Sequence, residues 1–395
     1  FSMRAPRSFT GEDVAELHGH GGGLVLSSLL RATLERGARV AEPGEFTRRA
    51  VLNGKLDLAQ AEALLAVIEA GSERALLQAQ AQLRGSVGDA VDALRVRTVA
   101  LVAEMEAHLD FPEQDVAPQA LSWLQAECVA IADALAGLLR TYSLGRAVQK
   151  GVEIALVGDV NAGKSSLFNR LVGHERALVS PTPGTTRDFV ESQLEFKGVK
   201  YTLIDTAGLR VSDDDIERRG IALGSSRVGS SDVVMVLFEE RVGEPHMVTA
   251  ASAWRSWANH RGAGSKALVV LVLTKCDAGP RVARVIEMPE GDFWLFETSA
   301  KTGSGVPELL EFVHRQICAD ESGDAAAVIS SERQRSQLQD AQGALMDASA
   351  QLQAAKLDLA AIDLRRVLAV FADFAGESLN EAVLDVVFSR FCIGK

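Results

Sequence analysis

Hydrophobic positions along this chain follow a helical period, give way to short strand-like runs, and return to the helical period. Residues 55–146 are rich in Ala and Leu and poor in Gly. Within them Leu121, Leu124, Cys128, Ile131, Leu135 and Leu138 recur at three- and four-residue steps, the stripe of an amphipathic helix. Asp110-Phe111-Pro112 predicts a break between two of these helices. From 151 to 317 the period changes. Short β-rich runs at 153–157, 201–204, 233–238, 268–273 and 294–296 alternate with helical stretches, which predicts a parallel-type sheet covered on both faces. Pro307 suits the first residue of the helix that closes this region. Residues 331–395 are helical again. Ser331 and Gln334 have the spacing of a capping box. Leu338, Leu345, Leu352 and Leu359 recur every seven residues, with Ala341, Ala348, Ala355 and Ile362 three positions on, an a/d seam. The expected partner of that seam is the earlier helical segment, giving one helical domain split by an inserted sheet domain; a self-associating coiled coil is the alternative. Residues 1–53 are mixed, with Gly-rich turns at Gly19 and Gly21 to Gly23, an apolar helix-like run at 24–34, and a turn at Pro43-Gly44. The boundaries predicted are 1–53, 54–149, 150–318 and 319–395.

Composition narrows the class. A chain of 395 residues is too long for one ordinary core, so two or three domains are expected. With 47% hydrophobic and 24% charged residues the composition is that of a soluble globular protein. The longest unbroken apolar run, 267–273, suits a buried strand and is far short of a membrane span, so no membrane partner is expected. The first residues do not read as a signal peptide, and a start at Phe1 rather than Met reads as a fragment. Cys128, Cys276, Cys318 and Cys392 are far apart with no CxxC pair, which argues against disulfides or a zinc site and for a reducing, cytoplasmic setting. The net charge of −12 opposes binding of a polyanion, so a nucleic-acid role requires a local basic patch or a basic partner.

The chemistry is concentrated in the middle third. Gly158-Asp159-Val160-Asn161-Ala162-Gly163-Lys164-Ser165 matches GxxxxGK[ST], follows a predicted strand and precedes a predicted helix. Backbone N–H groups of such a loop close around phosphates, Lys164 supplies a point charge to the β- and γ-phosphates, and Ser165 can ligate Mg²⁺. Asp205-Thr206-Ala207-Gly208 follows the strand at 201–204; its Asp reaches Mg²⁺ through water and its Gly backbone senses the γ-phosphate. Thr274-Lys275-Cys276-Asp277 ends another strand. Asp277 can accept two hydrogen bonds from guanine N1 and N2, which adenine cannot offer, and so selects GTP over ATP. Ser299-Ala300-Lys301 supports guanine O6 through backbone N–H groups. The remaining expected nucleotide contacts are Ser166, Ser180, Thr185 and Thr186, with Thr186 placed to ligate Mg²⁺ from the loop that holds Gly184-Thr185-Thr186-Arg187-Asp188. Leu209 stands where many small GTPases carry a water-orienting Gln, and a leucine cannot orient water. The fold expected is thus an α/β P-loop GTPase (Ras-like) domain. Asp213 to Asp215 read as a solvated loop. His18 and His20 have metal-pair spacing but belong to a Gly-rich turn and lack a third ligand.

These motifs, with others outside the middle third, resemble the MnmE (also called TrmE) family of tRNA-modification GTPases. Ser8-Phe9-Thr10-Gly11-Glu12-Asp13-Val14, His20-Gly21-Gly22 and Pro43-Gly44-Glu45-Phe46-Thr47 look like that family's N-terminal domain. Leu52-Asn53-Gly54-Lys55-Leu56-Asp57-Leu58 with Gln60-Ala61-Glu62-Ala63 looks like its first helical entry, and Phe391-Cys392-Ile393-Gly394-Lys395 is its terminal signature. The resemblance implies a P-loop GTPase domain inserted into an α-helical domain and preceded by a partial α+β domain that binds tetrahydrofolate and dimerises. It implies a one-carbon folate, 5,10-methylene- or 5-formyl-tetrahydrofolate, and a heterotetramer with an FAD-dependent MnmG-like partner. The implied product is an aminomethyl or carboxymethylaminomethyl group on C5 of a tRNA wobble uridine, with GTP hydrolysis driving G-domain closure.

The resemblance also assigns residues. It implies a K⁺ ion in place of an arginine finger, held by the side chain of Asn161 and by Ser180, Thr182 and Thr185. Glu217 becomes the catalytic acid that positions the attacking water indirectly, beside Lys164. Glu16, Lys55 and Lys395 match folate-pocket positions, and Cys392 is the thiol of the terminal motif. Family members usually carry Asn where this chain has Thr274; a threonine hydroxyl can make some of the same ties to the phosphate loop, so guanine selection is expected to survive with lower affinity. Several dozen residues, including early strands and a folate-pocket arginine, are expected before Phe1. The rival expectation is a regulatory switch of the ribosome-assembly type, which shares the phosphate loop and the Leu after DTAG but usually appends a small RNA-binding module after its G domain.

Overall fold

A computed structural model of the chain describes residues 1–110, 118–159, 161–174, 190–205, 229–239, 246–258, 267–277, 283–288, 291–318, 327–376, 381–389 and 391. The chain divides into two compact units. One comprises Phe1–Ala70, Leu76–Gly145 and Asp324–Lys395, the other Gly71–Ala75 and Arg146–Gly323.

The first unit opens with two short strands, β1 (Ser2–Met3) and β2 (Val14–Ala15), paired antiparallel. Helices α1 (Gly23–Leu34) and α2 (Glu45–Leu52) follow. The apolar run at 24–34 is helical as its pattern predicts, but α1 has no buried residue, and Leu24 is 79% exposed. Next come α3 (Leu58–Glu69), α4 (Glu73–Leu83), α5 (Ser86–Asp110), α6 (Pro118–Arg140) and α7 (Tyr142–Lys150), with the start of α4 up to Ala75 and the part of α7 from Arg146 counted in the second unit. Helix α3 starts on a capping box between Asp57 and Gln60, a D-x-x-Q signal that the sequence carries. Helix α5 ends at Asp110, where the Asp-Phe-Pro run predicts a stop.

The second unit is built on one sheet. Its strands and helices in chain order are β3 (Val152–Gly158), α8 (Lys164–His174), β4 (Val190–Phe196), β5 (Val199–Asp205), β6 (Val233–Glu239), α9 (His246–Ala258), β7 (Leu268–Thr274), β8 (Ala283–Met288), β9 (Gly291–Glu297) and α10 (Val306–Ile317). The seven strands lie in the order β4-β5-β3-β6-β7-β9-β8. The inner pairings are parallel, as the alternating pattern predicts, while β4–β5 and β8–β9 are antiparallel. Both outermost strands escaped the sequence reading. Strand β4 carries Glu191, Ser192, Gln193 and Glu195, and such polar content does not form a β-rich run. The central strands are largely hydrophobic and mostly buried, with Glu153, Glu239 and Thr274 near their ends, as expected of strands covered on both faces. Pro307 is the second residue of α10, not the first; Val306 precedes it and Gly305 is the N-cap. After β3 the chain goes first to one side of that strand, to β5, and then to the other, to β6. The carboxyl end of β3 is therefore a topological switch point, where open α/β sheets bind ligands.

The chain re-enters the first unit as α11 (Glu332–Gln353), α12 (Leu357–Ala375) and α13 (Glu381–Phe388). The predicted box between Ser331 and Gln334 caps α11. Helices α5, α6, α11 and α12 form a bundle in which α11 packs between α6 and α12, and α12 between α11 and α5. Its core includes Leu101, Met105, Leu124, Ile131, Leu345 and Phe371, each essentially fully buried. Each such side chain contributes about 1.5–3 kcal/mol through removal from water. The seam at Leu338, Ala341, Leu345, Ala348 and Leu352 thus finds its predicted partner, the earlier helical segment. The fourth heptad does not exist. Helix α11 stops at Gln353, Ala355 takes a left-handed φ of 54°, and Leu359 and Ile362 are 39% and 58% exposed. The next helix buries a different face, centred on Leu364, Val367, Phe371 and Phe374.

Among the described residues one stretch, Leu121–Lys150, is long and apolar enough to cross a membrane by length and composition alone, although no unbroken apolar run in it is that long. Its Leu124, Cys128, Ile131 and Leu135 are fully buried in the bundle. That burial pushes the Cys128 thiol up to about 11.

Candidate functional site

The phosphate loop leaves the end of β3 and enters α8. Gly158 is required there by space: a Cβ at this position would lie 2.2 Å from the Leu237 carbonyl oxygen of neighbouring β6. Asn161 is exposed and holds a left-handed φ of 66°, a conformation asparagine tolerates better than most residues. Lys164 is almost buried, and its Nζ donates to the carbonyls of Gly158 at 2.7 Å and Asp159 at 2.8 Å. An ammonium has three protons, so one is left for a phosphate oxygen. Burial lowers the Lys164 pKa, and the neighbouring carboxylates of Asp205 and Asp159 work against that shift. Ser165 Oγ donates to Asp205 Oδ2 at 2.9 Å, which joins the first residues of α8 to the end of β5. A hydroxyl and a carboxylate side by side are hard oxygen ligands of the kind that suits Mg²⁺.

The second half of the site lies at the ends of β7 and β9. Thr274 Oγ1 donates to the Ala162 carbonyl at 2.8 Å, with Phe238 O at 3.2 Å, and so ties β7 to the phosphate loop. A pocket is lined by Gly163, Thr274, Lys275, Asp277, Ala300 and Lys301 among others. Ser299 is fully buried, and its Oγ donates to Asp277 Oδ1 at 2.6 Å. The Thr302 N–H donates in turn to Ser299 Oγ at 3.1 Å. Arg170, on α8, donates to the Thr302 carbonyl at 3.1 Å and so links the phosphate-loop helix to this loop. Arg170 belongs to no motif in the sequence, and the Ser299-Ala300-Lys301 motif gives Ser299 no side-chain role; only the tertiary arrangement shows these two contacts.

Asn161, Ala162, Gly163, Lys164, Ser165, Ser166, Asp205, Thr274, Lys275, Asp277, Ser299, Ala300 and Lys301 therefore sit where strands β3, β5 and β7 and the loop after β9 end. Ser180, Thr182, Thr185, Thr186, Thr206, Ala207, Gly208 and Glu217 lie outside the described residues, as do Cys392 and Lys395.

In the first unit, Glu16 and Lys55 are both exposed. Glu16 faces His18 at 3.1 Å, whereas Lys55 lies along Gly11; no hydrogen bond or ion pair joins them among the described residues. Among the described residues there is also no group of three His, Cys, Asp or Glu side chains able to hold a metal, so His18 and His20 gain no third ligand there. A network unread in the sequence surrounds Glu45. Its carboxylate accepts from Arg39, from the Glu42 backbone N–H and from Arg49, which together hold it at about 2, and Arg49 also pairs with Glu12 at 2.8 Å. The i,i+4 spacing of Glu45 and Arg49 on α2 was the available signal. Val51, Leu58, Phe388 and Phe391 share one apolar cluster, which sets the first residue of the terminal signature beside the Leu52–Leu58 segment's helices.

Comparison with known proteins places this geometry. The family model described as the MnmE helical domain matches residues 58–392, and that of the GTP-binding protein TrmE N-terminus matches residues 1–55. The tRNA modification GTPase MnmE of Synechococcus sp. (strain JA-2-3B'a(2-13)) is 40% identical over 394 residues, covering 100% of this chain and 83% of that protein. The tRNA modification GTPase MnmE of Symbiobacterium thermophilum is 40% identical over 395 residues, covering 100% and 84%. Among solved structures, the G domain of the T. maritima FeoB iron transporter is 28% identical and covers 40% of this chain and 94% of that one; its TM-score of 0.28 is too low to add to the fold. Matched by the two family models from Phe1 to Cys392 and by relatives 40% identical across its whole length, this chain belongs to the MnmE family.

Proposed function

We propose that the chain hydrolyses GTP at the carboxyl ends of β3, β5 and β7 and couples this to tRNA modification. The family membership makes it a GTPase of tRNA modification. One observation carries the assignment of the reaction to this site: Lys164, Ser165, Asp205 and Asp277, which come from three separate motifs, all lie at or after the carboxyl ends of parallel strands of one sheet, β3, β5 and β7. Lys164 offers its remaining proton to the phosphates, and the backbone N–H groups of Ala162 to Ser165 stabilise charge as the bond from the γ-phosphorus to the β,γ-bridging oxygen breaks. Water supplies the new oxygen, and the products are GDP and inorganic phosphate. Mg²⁺ would be held by Ser165 and, in this reading, Thr186, with Asp205 behind it; it would neutralise charge on the β- and γ-oxygens.

The finer parts of the reading go with the family resemblance. Asn161, exposed at the rim of the loop, presents its side chain for K⁺ alongside Ser180, Thr182 and Thr185, and the ion would supply positive charge beside the phosphates. Glu217 positions the attacking water indirectly, a role Leu209 cannot take. The G domain is an insertion at 150–318 in a helical domain formed by 54–149 and 319–395, and residues 1–53 belong to a folate-binding and dimerisation domain. Glu16, Lys55 and Lys395 serve a one-carbon tetrahydrofolate, and Cys392 is the thiol of the terminal motif. An FAD-dependent MnmG-like partner joins in a heterotetramer that modifies C5 of the wobble uridine, in the cytoplasm. The apolar cluster that brings Phe391 to α2 and α3 supports a shared pocket for the chain end and the Lys55 region.

The test is steady-state GTP hydrolysis in K⁺ and in Na⁺ at equal ionic strength, with Asn161→Ala beside the parent and sedimentation to report the dimer. Faster turnover in K⁺, lost in Asn161→Ala, is the expected result. Equal rates in both salts from a dimeric chain would overturn the K⁺ assignment, and binding of GTP without hydrolysis in either salt would overturn the catalytic one.

A further inference from the structure

Thr274 closes β7 and is 6% exposed. Its hydroxyl carries one proton. Two carbonyl oxygens compete for that proton, Ala162 at 2.8 Å and Phe238 at 3.2 Å. Whichever accepts it, the side chain has no donor left for a bound base. What remains are oxygen lone pairs and a methyl group.

The position of Thr274 decides which part of a base it meets. Outward from the phosphate loop, a purine nucleotide presents its phosphates, ribose, imidazole ring and pyrimidine ring in covalent order. Asp277 is the reader of the pyrimidine-ring edge. Thr274 lies at the near end of the pocket, against the phosphate loop itself: a Cβ on Gly163 would be 3.4 Å from the Thr274 Cβ. The imidazole ring, with its acceptor N7, falls to Thr274. A side chain with a free N–H there would read N7. Here the lone pair of N7 meets the lone pairs of a hydroxyl whose proton is already used.

We infer that Thr274 leaves N7 unread among the described residues: the pocket selects guanine by the pyrimidine-ring edge and binds a nucleotide with C–H in place of N7 as tightly as the natural one. The inference rests on the guanine-nucleotide reading of the site. It makes residue 274 a specificity determinant of the chain through the absence of a donor.

The experiment is competition of GDP and 7-deaza-GDP against a fluorescent GDP, with Mg²⁺, on the full chain and on Thr274→Asn. The parent is expected to bind the two within about twofold of each other, since no hydrogen bond is exchanged. The asparagine amide has two protons, one for the Ala162 carbonyl and one for N7, so Thr274→Asn is expected to prefer GDP by about fivefold or more. A parent preference for GDP of about fivefold or more would overturn the inference. So would a folded Thr274→Asn without any preference, because residue 274 would then not face N7. Thermal melting reports whether the variant is folded, and the parent comparison stands without it. A folded parent that binds neither nucleotide would overturn the guanine-nucleotide reading itself, an outcome distinct from the other two.

Discussion

Asp277, the proposed reader of guanine, is held in place by the protein itself. The buried Ser299 hydroxyl gives its proton to Oδ1 and takes the Thr302 N–H, which fixes the carboxylate and leaves Oδ2 and the second lone pair of Oδ1 for a ligand. A carboxylate accepts two protons from guanine N1 and N2, whereas an amide of the same shape accepts one and donates one. That pattern fits xanthine, whose position 2 is a carbonyl. Asp277→Asn is therefore expected to lose about tenfold to a hundredfold in GTP affinity, the worth of charged hydrogen bonds of this kind, and to gain affinity for XTP. Competition binding with both triphosphates checks it; a variant that still preferred GTP would remove Asp277 from base reading. The effect belongs to one side chain, and no change in the melting of either unit is expected to accompany it.

At the scale of elements, the bundle shows how far a hydrophobic period can be trusted. Leu345 and Leu359 are both on the seven-residue repeat, but Leu345 is buried and Leu359 is 39% exposed. Leu345→Ala is expected to cost about 2–5 kcal/mol in the unfolding of the bundle and Leu359→Ala well under half of that, measured by urea titration of helical circular dichroism. Equal losses would mean that the seam continues through residue 355. The repeat overshoots because its break is an alanine in a left-handed conformation, where glycine would have announced a turn. Elsewhere the legible elements are those with a strong period: the helices of residues 55–146 and the five hydrophobic strands from β3 to β9. The antiparallel outer strands β4 and β8 depend on pairing with a neighbour, which local composition does not record. The site divides in the same way. Lys164, Asp205 and Asp277 are legible because their motifs sit at strand ends, whereas the Ser299–Asp277 bond and the reach of Arg170 to Thr302 exist only once β7, β9 and α8 are side by side.

For the whole molecule, a net charge of −12 sets the long-range field that a polyanion meets. If tRNA is the substrate of the complex, the partner has to supply much of the phosphate contact. The chain alone is expected to bind tRNA weakly at about 0.15 M salt, with a shallow dependence of affinity on salt, by fluorescence anisotropy. Tight binding by the chain alone under those conditions would overturn this division of labour. The layout of the first unit has one more consequence, in time rather than space. Tyr142 donates to Glu332 at 2.6 Å across 190 positions of sequence, and α6 meets α11 over a similar gap. At about 5–20 residues per second, a ribosome leaves α6 without α11 for roughly 10–40 s, and α5 without α12 for longer. During that interval Leu101, Met105, Leu124, Ile131 and Leu135 have no bundle to enter, while every strand of the seven-stranded sheet is made before Glu332. Nascent chains of this protein thus pass through a stage with a translated sheet unit and two apolar helices whose main packing partners, α11 and α12, are not yet made.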